Sequence, residues 1–235
     1  MMKGFLLFCA LLLGAVSAAR ADFDRGMMAY EAGDYATALR EWRPLANQGK
    51  AWAQYSIGLM YNFGQGVPQD YKEAVNWYSL AAEQTYAPAQ LVLGAMYQSG
   101  QGVPQDYTQA AKWYRLACDQ GVAQAQFNLG TMYDFGQGVP QNYKEAVIRY
   151  RLAADQGFAP AQTMLGAMYM NGHGVPQDAP TAYMWLNIGA ASGDKFSSQV
   201  ASENRDKLTQ RMTPSQIEDG QKLTRACVAK NYKEC

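Results

Sequence analysis

Few residues in this chain have the types and spacing that chemistry requires. Ser192 and Lys195 are spaced as Ser-x-x-Lys, in which a lysine can assist a serine nucleophile. That stretch contains Gly193, which ends a predicted helix, and the companion Ser-Asp-Asn and Lys-Thr-Gly motifs are absent. Cys118 could pair with His173, the single histidine, only if two separate segments met. The sequence therefore predicts no catalytic residue, no metal site and no cofactor.

A block that recurs four times must position any functional side chain. Its copies open at Ala51, Ala87, Ala123 and Ala159, each 36 residues after the last. Other residues recur in phase: Gly58, Gly94, Gly130, Gly166; Tyr61, Tyr97, Tyr133, Tyr169; and Gln69, Gln105, Gln141, Gln177 at the ends of Gly-Val-Pro-Gln. A period of this length is typical of stacked helical or strand-turn units that bury their apolar faces against their neighbours.

Each copy is predicted to form a helix, a loop and a second helix. Apolar residues at helical spacing define the first helix, which a left-handed glycine such as Gly64 should end. Asp70 should cap the second helix, with Glu73 completing a capping box. Arg149 occupies the place of a tryptophan in the other copies, so this copy should pack more loosely there. We predict an all-α fold, a right-handed α/α solenoid of helix-loop-helix repeats.

The copies and their flanks set the predicted domain boundaries. A last helix should begin at the Thr213–Gln216 capping box and run to about Ala229. The segments are a signal peptide at 1–21, a partial tetratricopeptide-like repeat at 22–50, four repeats at 51–86, 87–122, 123–158 and 159–194, and a helical C-terminal cap at 195–235.

The motif in each copy resembles the Sel1-like repeat. It reads Ala-x-Ala-Gln-x-x-Leu-Gly-x-Met-Tyr, then Gly-x-Gly-Val-Pro-Gln-Asp-Tyr, then Ala-x-x-Trp-Tyr-x-x-Ala-Ala-x-Gln-Gly. The resemblance implies a tetratricopeptide-like scaffold or adaptor that binds a protein or peptide and has no catalytic activity. Some secreted Sel1-like proteins are described as β-lactamases, so a cell-envelope hydrolase acting on β-lactams or peptidoglycan is the alternative. Having few cysteines, the chain resembles the cysteine-poor members.

First-helix positions that change between copies are the predicted partner-binding residues, because folding does not dictate them. By resemblance to tetratricopeptide proteins, the first helices form the concave face. Comparison among the four copies leaves open whether these positions belong instead to the core between repeats. The candidates are Tyr55, Leu59, Asn62, Leu91, Gln98, Phe127, Thr131, Asp134, Thr163 and Met170.

Charge and cysteine positions restrict the partner and the compartment. The chain has 20 basic and 20 acidic residues with no Lys/Arg cluster, which gives no support for binding nucleic acid or anionic lipid. Cys118 occupies a place that is alanine in the other copies and should be a buried, reduced thiol. Cys227 and Cys235 lie close to the C-terminus and should form a disulfide in an oxidising compartment. The oligomeric state and the identity of the partner are not predicted.

The first 21 residues predict export. Lys3 precedes an apolar run from Phe5 to Ala19 that is too short to span a membrane comfortably, and Ala19-Arg20-Ala21 fits a signal-peptidase site. We expect cleavage after Ala21 to yield a periplasmic or secreted protein without an inserted segment. N-terminal sequencing of the mature protein should begin at Asp22, or at Ala19 if the earlier site is used. An intact Met1 on cytoplasmic protein would contradict export.

Overall fold

A computed structural model describes residues 23–233 and residue 235. The described residues form twelve helices and no strand, which confirms the predicted α/α solenoid class. Helix α1 comprises the helical residues 23–31. The others are α2 (Tyr35–Asn47), α3 (Ala51–Phe63), α4 (Tyr71–Glu83), α5 (Ala87–Ser99), α6 (Tyr107–Asp119), α7 (Ala123–Phe135), α8 (Tyr143–Ala154), α9 (Ala159–Asn171), α10 (Ala179–Ala190), α11 (Lys195–Thr209) and α12 (Pro214–Ala229).

The chain divides into two compact units at the Gln105–Asp106 junction. In unit 1, α2 packs on α3, α3 on α4, and α4 on α5. Its core contains Trp42, Ile57 and Met60, all essentially inaccessible to solvent. Helix α2 continues through Pro44 without interruption. The predicted signal peptide, residues 1–21, lies outside the described residues.

Unit 2 contains α6 to α12. Helix α7 packs on α8 and α9 on α10, around a core that includes Tyr150, Leu165 and Trp185. The last two helices cover α10, and α11 also contacts α9. The C-terminal segment thus forms two separate helices, and α12 occupies the residues predicted for the last helix.

The helix ends follow the local sequence signals, with one correction. Gly64 and Gly136 adopt the left-handed conformation with φ of 67° and 68°. Asp70 accepts the backbone N–H groups of Lys72 and Glu73, but Glu73 does not complete the predicted box. Its expected partner, the N–H of Asp70, instead donates to the carbonyl of Tyr61 at 2.9 Å. The Thr213–Gln216 capping box is present as predicted.

Glycines permit two kinds of close approach within each unit. A side chain at Gly58 or Gly130 would collide with the ring of Tyr78 or Tyr150, so these glycines let the paired helices touch. A Cβ at loop residue Gly66 would lie 2.8 Å from the Cβ of Tyr35, the first residue of α2. The same loop position contacts the start of an earlier second helix in both units: Gly102 meets Tyr71, Gly138 meets Tyr107, and Gly174 meets Tyr143.

The guanidinium of Arg149 takes the place of an indole in repeat three. One nitrogen lies 3.4 Å from Glu145 and another 3.7 Å from the Sγ of Cys118, while the buried Nε has no partner among the described residues. Cys118 is only 5% exposed, as expected of a small apolar residue, and burial raises the pKa of its thiol. Looser packing at Arg149 stays a prediction, since the indole nitrogen of Trp185 at the equivalent position of repeat four also lacks a partner among the described residues.

The structure places a disulfide between Cys227 and Cys235, with an S–S distance of 2.08 Å. Both cysteines and Tyr232, which lies between them, pack against the core of unit 2. The bond therefore links the end of α12 to the last residue of the chain, beside that core.

One backbone position predicts a stability change. Thr85 has a φ of 62° where Gly121 and Gly157 occupy the equivalent place with φ of 83° and 80°. A left-handed non-glycine residue costs ~1–2 kcal/mol, partly offset by the larger unfolded-state entropy of glycine. Thr85→Gly should therefore raise the free energy of unfolding by about 0.5–1 kcal/mol in denaturant titrations.

The reciprocal change, Gly121→Thr, is the matched control. No heavy atom lies within 4 Å of where its Cβ would stand, so its effect should come from the backbone alone. It should lower stability by about 1 kcal/mol. A loss of stability in Thr85→Gly would contradict the assignment of strain to Thr85.

Candidate functional site

In each unit, the side chains of the first helices that reach solvent form what we call the first-helix surface of that unit: it lies on α3 and α5 in unit 1 and on α7 and α9 in unit 2. These four helices contain a single charged residue, Asp134, and it is buried. Lysine, arginine and glutamate occur instead on the second helices α4, α6 and α8. The first-helix surface is therefore uncharged and presents apolar, aromatic and amide groups.

A loop glutamine fixes the end of every first helix. The Nε2 of Gln69 donates to the backbone carbonyl of Asn62 at 2.8 Å, and Gln105 binds Gln98 at the same distance. In unit 2, Gln141 donates to the carbonyl of Asp134 and Gln177 to that of Met170. Because these bonds involve only the backbone at the receiving position, the side chain there can vary without disturbing the helix end.

Two of the candidate residues belong to aromatic clusters. The ring centroid of Tyr55 lies 5.6 Å from that of Tyr78 and 5.4 Å from that of Tyr86. In unit 2, Phe127 repeats the arrangement with Tyr150 at 5.7 Å and Phe158 at 5.5 Å. Tyr55 and Phe127 are half-buried, so they serve the packing of the repeats and expose only part of each ring.

Two other candidates are buried and do not reach the surface. Thr163 is 4% exposed, and its hydroxyl lies 3.4 Å from the carbonyl of Ser197 on α11. Asp134 is 8% exposed and accepts a hydrogen bond of 3.2 Å from the hydroxyl of Tyr150. Direct contact with a partner, the role predicted for both, does not fit their positions in this structure.

The remaining six candidates are half-buried and contribute to the first-helix surface. Thr131 is the most constrained, since its hydroxyl donates to the carbonyl of Phe127 and lies 3.3 Å from the hydroxyl of Tyr150. Met170 packs partly against the core beneath α11. The six are Leu59, Asn62, Leu91, Gln98, Thr131 and Met170.

Sequence comparison missed the most exposed aromatic residues of this surface. Phe63 and Phe135 end α3 and α7 and are 61% and 63% exposed. Their position holds Phe, Ser, Phe and Asn in the four copies, so its variability was visible in the sequence. Each follows directly after a backbone carbonyl held by a loop glutamine, which places an exposed ring on a fixed helix end.

The catalytic candidates are not assembled in the structure. Ser192 follows the end of α10 and Lys195 begins α11, and the Oγ of Ser192 has no hydrogen-bond partner among the described residues. The two residues therefore do not share one helix, as Ser-x-x-Lys chemistry requires. The ring of His173 stacks on Tyr143 at 4.7 Å, while Cys118 contacts Arg149.

Neither a metal cluster nor a membrane-spanning helix occurs in the part of the chain that the structure describes. No three histidine, cysteine or carboxylate side chains there are grouped as metal ligands. No helix there combines the length and the apolar character needed to cross a bilayer.

The burial of Asp134 makes stability depend on pH. Burial raises the pKa of its carboxyl above the usual range, and the bond from Tyr150 offsets this only in part. The folded state therefore favours the protonated acid, and the free-energy cost of ionisation appears as pH rises through the folded pKa. Asp134→Asn should raise the melting temperature at neutral pH, and the gain should vanish towards about pH 4.

Thermal melts over that range check this, with Asp119→Asn, an exposed acid on α6, as the control. A gain for Asp134→Asn that stayed constant with pH would argue against ionisation as its cause.

Comparisons with known proteins support the fold and place the chain in a family. The chain is similar to the crystal structure of c5321, a protective antigen present in uropathogenic Escherichia coli strains and displaying an SLR fold, with 31% identity and a TM-score of 0.80. That match covers 92% of this chain but only 46% of the antigen, so the chain spans less than half of the antigen's length. A Sel1 repeat protein from Oxalobacter formigenes is 35% identical with a TM-score of 0.72, over 77% of this chain and 72% of that protein. No curated protein matches the chain.

The family model for the Sel1 repeat matches residues 53–86, 87–122, 123–158 and 159–194. These matches cover more than half of the chain and follow the 36-residue period. The chain therefore belongs to the Sel1 repeat family.

Proposed function

We propose that this protein is an exported scaffold that binds uncharged segments of a protein partner on the first-helix surface of each unit. Sel1 repeat proteins generally act as non-catalytic scaffolds for protein partners. The observation that carries the proposal is the combination of variable, uncharged side chains with helix ends held by loop glutamines.

The exposed aromatic rings supply the expected anchors. Phe63 and Phe135 offer large apolar contact areas, and aromatic residues contribute much of the binding energy at protein interfaces. The amide of Asn62 can bind the backbone of a peptide without selecting for charge. The first helices themselves contribute no exposed charged side chain, so a charged partner segment would gain no ion pair from them, which favours neutral sequences.

Export is part of the proposal and has two supports. The first is the signal-peptide pattern of residues 1–21, which lie outside the described residues. The second is the Cys227–Cys235 bond, since disulfides persist mainly in oxidising compartments such as the periplasm or the extracellular space.

A photo-crosslinking amino acid at position 63 or 135, introduced in cells, should identify the partner. Phe63→Ala and Phe135→Ala should then weaken binding of that purified partner by about tenfold or more, as expected for anchor residues. Because both side chains are exposed, the free energy of unfolding should change by less than about 0.5 kcal/mol.

Leu80→Ala and Leu116→Ala are the matched controls. These leucines lie on the second helices α4 and α6 and are 45% and 46% exposed, so they remove apolar surface of a similar kind elsewhere. They should leave affinity unchanged. Loss of binding in the leucine variants with full binding in the phenylalanine variants would reject the first-helix surface as the site.

A further inference from the structure

A pair of glutamine side chains recurs inside the repeats. In repeat one, the Nε2 of Gln84 donates to the Oε1 of buried Gln54 at 2.7 Å and to the carbonyl of Leu80 at 3.1 Å. In repeat three, Gln156 donates in the same way to Gln126 at 2.8 Å and to the carbonyl of Leu152 at 3.3 Å. A primary carboxamide therefore satisfies the buried glutamine oxygen in both repeats.

Repeat four keeps the buried glutamine but lacks its partner. Gln162 is 2% exposed, and its Nε2 donates to the carbonyl of Ala154 at 3.3 Å. The position equivalent to Gln84 and Gln156 holds Ser192. The shorter Ser192 side chain makes no hydrogen bond with the described residues.

A cavity of about 510 Å³ lies at this place in unit 2. Gln162, Ser192 and Ile188 line one part of it, and Val228 and Tyr232 from the C-terminal segment line another. Ile188 occupies the position of Leu80 and Leu152, whose carbonyls accept the second amide hydrogen in the other repeats. The volume falls within the range of small-ligand and short-peptide sites.

We infer that this cavity binds the side-chain carboxamide of a glutamine or asparagine residue from a peptide. The bound NH₂ group takes the place of the missing glutamine, donating one hydrogen to the Oε1 of Gln162 and the other towards the carbonyl of Ile188. Tyr232 and Val228 pack against the methylene and backbone parts of the ligand. Repeats one and three show the same hydrogen-bond pattern made by the protein itself. The inference does not depend on the first-helix surface.

Titration with three short peptides tests the site. The probe is acetyl-Gly-Gln-Gly-N-methylamide, which has no other primary carboxamide; the controls replace Gln by Glu or by Met, which have similar length. The glutamine peptide should bind at millimolar concentrations or below and shift the amide resonances of Gln162 and residues near Tyr232. The affinities of the Glu and Met peptides should be lower by about tenfold or more, since each lacks the donor NH₂ group.

Ser192→Gln is the decisive variant, because it restores the protein's own partner for Gln162. It should raise the melting temperature and abolish binding of the glutamine peptide. Ser192→Ala should retain binding, and so should Phe63→Ala with Phe135→Ala. Equal binding of all three peptides, unchanged binding by Ser192→Gln, or no binding by the wild-type protein would each overturn the proposal; the last result would mean that the cavity holds only solvent.

Discussion

The second glycine of each Gly-x-Gly loop lies against the first residues of an earlier second helix. At Gly66 and Gly102 in unit 1, and at Gly138 and Gly174 in unit 2, an added Cβ would meet the backbone or side chain of the opposing tyrosine. The missing side chain at these glycines lets the loop approach the start of the earlier helix this closely. Each 36-residue copy therefore needs a glycine at this loop position, because any side chain there would collide with the earlier helix.

A second kind of contact, between loop glutamines and the backbone, holds the ends of the first helices. Loop glutamines bind backbone carbonyls at the ends of the first helices, so these hydrogen bonds do not depend on which side chain stands there. The exposed rings of Phe63 and Phe135 follow directly after these held carbonyls, and in the proposed binding role this support would lower the conformational entropy lost on binding. Apart from the buried Asp134, the charged side chains within the helices of the four repeats lie on the second helices.

Repeat four differs from the other repeats in being followed by α11 and α12. Helices α11 and α12 cover α10, and Ser197 of α11 lies against Thr163. The glutamine that follows the second helix in the other three repeats is replaced by Ser192, two residues before the Asp194 cap of α11. Ser192 carries no carboxamide, and the cavity lies at this position beside Gln162.

The sequence determined the features that depend on near neighbours: the period, the left-handed Gly64 and Gly136, the start of α12 and the class of the fold. Tertiary structure decided which variable positions reach solvent. Asp134 is covered by Tyr150 and Thr163 by α11, whereas Phe63 is open, although all three positions vary between copies. It also directed the N–H of Asp70 to Tyr61 and away from Glu73. Local hydrogen bonds and backbone preferences involve only a few neighbouring residues, so they can be predicted from the sequence. Burial depends on side chains that are distant in the sequence and close in the fold, so it cannot be predicted in the same way.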